Sequence, residues 1–274
     1  MIIRNKVIAN NGSLARTKIT WFYPNSMSPR RLAQLRMAWN DSYTELFNHD
    51  GATRNLSESV APIQFYFRRY ATATNLVNVD IGGGTTDIAF SSNGKVEYIT
   101  SFKFAANSLF EDSFSDINPN NGIVDWFKND ILGLLQSKPE LNELVNIFNS
   151  NLGQPANMAS FLFSLKDNSA TKGLARNNID FNKILQNDTK FKVVFIIFYT
   201  AIIYHIAQTV KAKGLKAPRH IAFSGNGSKI ISIISSDAKI LGKYTKIIFE
   251  KVLESEYGSA LDILGLEQGS NPKE

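Results

Sequence analysis

The stretch Asn78–Phe90 reads Asn-Val-Asp-Ile-Gly-Gly-Gly-Thr-Thr-Asp-Ile-Ala-Phe and gathers an acid, three adjacent glycines and two hydroxyls. Consecutive glycines at 82, 83 and 84 remove every Cβ from a turn, so the backbone can take positive φ and aim its N–H groups at an anion. Thr85 and Thr86 add hydroxyl donors beside Gly82, Gly83 and Gly84. Asp80 ends the incoming run at the mouth of the turn, where its carboxylate would face a phosphate-bound Mg²⁺ or its water shell. The chemistry such a set supports is phosphate binding. Val77, Val79 and Ile81 alternate with Asn78 and Asp80, which predicts a strand with one buried face, and Ile88 and Phe90 resume the alternation beyond the turn. An ordinary glycine-rich hairpin is the plainer account of a triple glycine. The acid before it, the hydroxyls after it and the strands on both sides favour the phosphate site.

The segment resembles the second phosphate motif of the actin-like ATPases, the superfamily of actin, heat-shock chaperone ATPases, sugar kinases and bacterial cell-division and plasmid-segregation actins. Their pattern is an apolar strand, D-[ILF]-G-G-G-T-[TFL]-D and a second apolar strand, matched here from Asp80 to Asp87. Other stretches keep the family's order. Arg219–Ile230 reads as a strand, a glycine turn and a helix start, and resembles the adenosine motif, with Gly225, Asn226 and Gly227 against the nucleotide. Asn226 stands where the commoner pattern has a second glycine. No Walker loop, GxxxxGK[ST], occurs in the chain. Lys18–Pro24 reads as a strand, and Ser28 and Pro29 are a good N-cap and first residue for a helix through Leu32, Leu35 and Trp39. Leu56–Pro62 resembles the family's N-E-P-x-A-A segment, which would make Glu58 the acid near the attacking water or the metal's hydration shell. A surface glutamate capping a helix accounts for the same residues. Lys95–Phe104 predicts a third strand, and Ala105–Phe114 loosely resembles the family's small-residue turn and acid-bearing helix start. The family's first phosphate motif, D-x-G-[TS], has no counterpart before residue 18. The expectation is a piece of a longer protein, the alternative a chain that lost half of the cleft.

Composition sets the frame. The 274-residue chain is 43% hydrophobic, enough for one substantial core or two small ones. It has no cysteine, which excludes disulfides and thiolate zinc sites without fixing a compartment. The formal charge of +6 is spread in short clusters such as Arg30-Arg31 and Arg68-Arg69, more like helix faces than a nucleic-acid stripe, so no nucleic-acid partner is expected. Met1–Ala9 lacks the apolar core of a secretory leader, and a cytoplasmic location is expected. Val193–Ala207 falls short of the roughly 20 apolar residues of a bilayer crossing. It reads instead as a helix buried on nearly all sides, continuing to a stop at Gly214, with His205 packed in the core and no membrane span. His49 and His220 show no ligand spacing, so no histidine metal site is expected.

The fold class expected is α/β, a ribonuclease-H-like actin-type ATPase lobe carrying an inserted, mostly helical subdomain. Residues 1–74 would be the remnant of a first actin-like lobe, 75–122 and 191–258 the nucleotide-binding lobe, 123–190 the insert and 259–274 a tail, loose after Gly265. The resemblance implies ATP and Mg²⁺ as cofactors. It implies Asp80 (metal-facing) and Glu58 as catalytic acids, Gly82–Thr86 and Gly225–Gly227 as nucleotide contacts, and leaves a protein partner or self-association open. The function it implies is the ATP-binding module of an actin-like or chaperone-like ATPase, acting as a conformational switch. The alternatives are a non-enzymatic pseudo-ATPase scaffold and a small-molecule kinase of the same fold.

Overall fold

The computed structural model describes residues 1–25, 27–47, 53–70, 74–110, 122–174, 176–235, 237–258 and 260–264. The chain opens with α1 (Ile2–Ala9), β1 (Thr20–Tyr23), α2 (Pro29–Phe47), β2 (Arg54–Ser57) and α3 (Ala61–Arg69). Pro29 is the first residue of α2, where a missing N–H costs nothing, and the Arg31 N–H reaches the Ser28 hydroxyl at 3.4 Å. β1 and β2 pair in parallel with α2 as the crossover, over a small core of Ile19, Trp21, Tyr43 and Phe47. Trp21 stacks on Trp39 with ring centres 6.0 Å apart. β2 is not foreseen in the sequence: Arg-Asn-Leu-Ser carries a single apolar residue, and its extended form comes from pairing with β1.

The alternating runs build the main sheet. β3 (Asn75–Ile81), β4 (Thr86–Ser92) and β5 (Lys95–Phe102) form an antiparallel meander, and α4 (Ala106–Phe110) comes after it. A helical stretch is next, with α5 (Val124–Gln136), α6 (Asn142–Ser150), α7 (Pro155–Ser164), α8 (Arg176–Ile179) and α9 (Phe181–Asn187). The long α10 (Thr189–Lys213) then leads to β6 (His220–Ser224), α11 (Lys229–Ile234), α12 (Ala238–Leu253) and β7 (Asp262–Leu264). The strand order is β5-β4-β3-β6-β7, with β6 parallel to β3 and β7 parallel to β6. Only β4 runs against the others. This strand order, with its one reversed strand, is that of the ribonuclease-H-like lobe expected from the sequence.

Both faces of the sheet are covered, rather than the single face that the alternation predicts. Val77, Val79, Ile81, Ile88, Phe90 and Phe223 face the large core shared with α10 and α12. On the opposite face Leu76, Ala89 and Ala222 pack against Ile63 and Tyr66 of α3. Asn78 is therefore fully buried although polar. Leu135, Leu144, Phe148, Leu162 and Phe181 of the helical stretch join the large core too, so these helices and the sheet share one interior.

Two further expectations change. α10 starts on the Asp188 side chain and stops at Gly214 in the left-handed region (φ 61°), but it is not buried on nearly all sides. Phe191, Phe195, Phe198, Ile202 and Ile206 are buried, whereas Ile197 on the other side is 64% exposed. His205 is also exposed; it lies 4.4 Å from the Phe102 ring, and partial burial holds its pKa below the usual imidazole range. A helix apolar all round tells nothing from its sequence about which side is covered. By length and composition α10 is also apolar enough to cross a membrane. Within the tail from 259, ahead of the part expected to be loose, β7 was not foreseen; its Ile263 is buried opposite Ile221. Three residues are too few to show a periodicity of their own.

Candidate functional site

The turn between β3 and β4 owes its shape to α4. The Gly82 N–H donates to the Thr85 carbonyl at 3.0 Å, but the return bond is not made, because the Gly82 carbonyl accepts from the Ala106 N–H at 3.2 Å. The Gly83 carbonyl likewise accepts from the Asn107 N–H at 2.8 Å. The turn's carbonyls thus satisfy the first donors of α4. The N–H groups of Gly83, Gly84 and Thr85 make no hydrogen bond among the described residues, and Gly83 and Gly84 are exposed. The positive φ expected of these glycines is not observed: among the described residues the positive-φ glycines are 94, 153, 214 and 225. What the missing side chains give is space. A Cβ on Gly82 would lie 3.1 Å from the Thr85 carbonyl oxygen and one on Gly83 3.0 Å from Asn107 Oδ1, while one on Gly84 would meet nothing within 4 Å.

Asp80 sits beside this turn at the C-terminal end of β3. Its Oδ2 accepts from the Ser224 hydroxyl at 3.0 Å, and Ser224 in turn accepts from Asn78 Nδ2 at 3.1 Å. Asn78 also reaches the Ser59 carbonyl at 3.4 Å, and the Ser59 hydroxyl is bound by Asn25, which accepts from Ser57. This polar ladder ties the β1–β2 unit to the main sheet and fixes the β2–α3 connection, where the Glu58 N–H donates to the Tyr23 carbonyl at 3.0 Å. Asp87 lies opposite Asp80 in register, and its Oδ1 is buried without a hydrogen-bond partner among the described residues. Burial raises the Asp80 pKa and repulsion from Asp87 adds to this, against the hydrogen bond from Ser224. Glu58, exposed at its tip, is also raised, by partial burial of its carboxyl and then by Asp80 and Asp87. No lysine or arginine pairs with these acids among the described residues.

Carboxylates that repel one another, one with an orphaned buried oxygen, fit a nearby cation. Among the described residues no group of three or more His, Cys, Asp or Glu is close enough to ligate a bare metal. The fit is therefore to Mg²⁺ that keeps its waters and meets the acids through them.

The turn after β6 closes the other side. Gly225 has φ 83° and ψ 158°, a region essentially restricted to glycine. Gly227 is buried, and a Cβ there would lie 2.6 Å from the Gly82 carbonyl oxygen. Gly227 is thus a packing glycine that lets the two turns touch, whereas Gly225 and Asn226 are exposed next to them. The structure brings Asp80, Gly82, Gly225 and Gly227 together, with Glu58 near enough for its charge to be felt.

Thr86 does not belong with the phosphate donors. It is fully buried in β4, and its hydroxyl donates to the Phe104 carbonyl at 2.6 Å. Thr86→Val is expected to cost about 1–2 kcal/mol of stability by orphaning that carbonyl, with nucleotide affinity unchanged, as denaturant melts and calorimetry would show. Of the two threonines, it is Thr85 whose hydroxyl has no hydrogen bond among the described residues. Asn78, Ser224, Asp87 and Asn107 shape the site without having been singled out as site residues in the sequence. Polar Asn78 in an apolar strand was the available signal for the first. Of the segment Ala105–Phe114, α4 covers Ala106–Phe110, and residues 111–114 lie outside the described residues.

No protein-family model matches the chain, and no curated protein matches it. Among solved structures, the ethanolamine utilization protein EutJ from Carboxydothermus hydrogenoformans is 12% identical, covering 93% of this chain and 65% of its own at a TM-score of 0.37. MreB 5 of Spiroplasma citri, bound to AMPPNP, is 16% identical over 88% of this chain and 67% of its own, with a TM-score of 0.32. The type II variant of the Aquifex aeolicus Ppx/GppA phosphatase is 17% identical over 49% of this chain and 43% of its own, with a TM-score of 0.30. The chain therefore spans 65% of the length of EutJ and 43% of that of the phosphatase. At these scores the likenesses add nothing to the site, and the fold assignment stands on the strand order.

Proposed function

We propose that this chain is a nucleotide-binding module of the actin-like ATPase type that takes ATP·Mg²⁺ as a conformational switch. The observation that carries the reading is the 82–85 turn, exposed at Gly83 and Gly84, whose Gly83, Gly84 and Thr85 N–H groups have no partner among the described residues, next to Asp80. Backbone N–H groups converging at the carboxyl end of parallel strands suit phosphate oxygens. In this reading they hold the phosphates, Gly225 and Asn226 lie against the sugar, and Asp80 and Glu58 face the water shell of Mg²⁺. The metal would supply charge neutralisation of the phosphates. Glu58 would orient water by accepting its proton in a hydrogen bond.

Catalysis of phosphoryl transfer is positioning and electrostatics. Among the described residues the 82–85 turn is the one hairpin at this end of the sheet, since the β4–β5 turn at Asn93-Gly94 lies at the other. Donors therefore approach the phosphates from one side, and this chain by itself is expected to bind ATP·Mg²⁺ weakly and turn it over slowly. A cytoplasmic location, and a protein partner or self-association, go with this reading. Titration calorimetry with ATP·Mg²⁺ tests it, using Gly84→Val as the control. A Cβ there would meet nothing within 4 Å, so the melting temperature should hold, while the valine methyls block the turn and weaken binding at least about tenfold, or 1.4 kcal/mol. Absence of binding by the wild type, or equal affinity in the variant, would leave the pseudo-ATPase scaffold as the better account.

A further inference from the structure

The outward side of α10 and α12 is an apolar face laid out among lysines, and nothing in the nucleotide site uses it. The two helices run side by side in the same direction: Tyr199 and Thr245 share a hydrogen bond of 2.7 Å, and Lys211 reaches the Val252 carbonyl at 3.1 Å. Val193, Ile197 and Tyr204 of α10 are 54%, 64% and 51% exposed, and Ile240 and Ile247 of α12 are 60% and 53% exposed. Each helix carries four lysines and neither an arginine; Lys246 meets Glu250 at 3.7 Å, Lys211 meets Glu254 at 2.9 Å and Lys213 lies over the Tyr98 ring, which leaves Lys190, Lys192, Lys239, Lys243 and Lys251 exposed around the apolar positions. Along α12 the exposed positions read Lys239, Ile240, Lys243, Ile247, Lys251.

We propose that this face docks on the surface of an anionic lipid bilayer, with both helices lying in the headgroup plane. Aliphatic side chains at the centre sink below the headgroups, while lysines on long stems bend back to the phosphates. Tyr204 has the amphipathic ring favoured at that depth. A protein partner is disfavoured by composition, because protein interfaces are depleted in lysine and enriched in arginine and aromatics. A nucleic acid would leave the protruding isoleucines and valine without a role, since its bases are read by polar and stacking groups. The helices rest on the surface rather than span it, because the opposite side of α10 forms the core under the sheet.

Vesicle flotation of the full chain tests this. Binding is expected to vesicles of phosphatidylcholine with roughly 30% phosphatidylserine, to be absent with phosphatidylcholine alone, and to weaken as salt rises. Lys239→Gln with Lys243→Gln should weaken binding about twenty-five-fold, at about fivefold per lysine near a charged surface. Ile197→Asp with Ile240→Asp should abolish it, with circular dichroism and melting unchanged because both positions are exposed. Three results would each overturn the proposal: no binding to anionic vesicles, equal binding to neutral ones, or wild-type binding by both double variants. A dimer in sedimentation that the aspartate pair dissolves, without vesicle binding, would assign the face to a second copy instead.

Discussion

Replacing Gly225 with alanine is expected to destabilise the fold by about 3 kcal/mol or more and to lower the melting temperature by roughly 10 °C. Two independent penalties add. The backbone at φ 83° and ψ 158° excludes side chains by itself, at about 1–3 kcal/mol. The new methyl would also stand 2.4 Å from Asp80 Oδ1 and 2.5 Å from the Ile81 carbonyl oxygen. That carbonyl belongs to β3, held by β4 on one side and β6 on the other, so it has nowhere to retreat. The strain must instead push β6 and its turn away from β3, which displaces Ser224 from Asp80. Nucleotide affinity should therefore fall with stability. Gly84→Ala supplies the contrast: with nothing within 4 Å, it should melt like the wild type. Equal melting temperatures for Gly225→Ala and the wild type would show that the contact between the two turns is not rigid.

The contrast between these glycines shows what a sequence carries. It reports that a side chain is missing, not whether the reason is backbone angle, packing or open space, and the three reasons fall to Gly225, Gly227 and Gly84 respectively. The β3–turn–β4 hairpin was legible because alternation and glycines are local. Thr86 was also decidable in principle. Adjacent residues entering a strand point to opposite faces, so Thr85 and Thr86 could not both offer a hydroxyl to one ligand. The ladder from Asn78 to Ser224 was not legible, since it joins residues 146 apart in sequence. Strands β2 and β7 were missed for a related reason: four and three residues long, they are extended because a neighbour pairs with them, not because of their own pattern. The exposed side of α10 was hidden by a helix apolar on every side.

Asp80→Asn is expected to stabilise the chain in the absence of Mg²⁺ at neutral pH and to weaken Mg²⁺-dependent nucleotide binding by roughly tenfold to a hundredfold, as losing an outer-shell partner does. The sign comes from the direction of the pKa shifts. Asp80 and Glu58 are both raised above the usual carboxylate range, by burial and by the acids around them. The folded state thus holds these protons more tightly than the unfolded chain, so the contribution of the pair is fully favourable below the unfolded values. It is lost as pH rises through the raised folded ones. Above those raised values the two carboxylates lie charged beside Asp87 and oppose folding. Removing one charge relieves that opposition, and a hydrated cation between the acids relieves it too. Melting curves from about pH 4 to 7, with and without Mg²⁺, separate this cluster from the other carboxylates when the variant is subtracted from the wild type. The wild type should lose stability relative to Asp80→Asn as pH rises, and Mg²⁺ should recover it at pH 7 in the wild type alone. Parallel profiles with no response to Mg²⁺ would mean that the acids do not face a cation, and Asp80 would then be no more than the acceptor that anchors Ser224 at the end of β6.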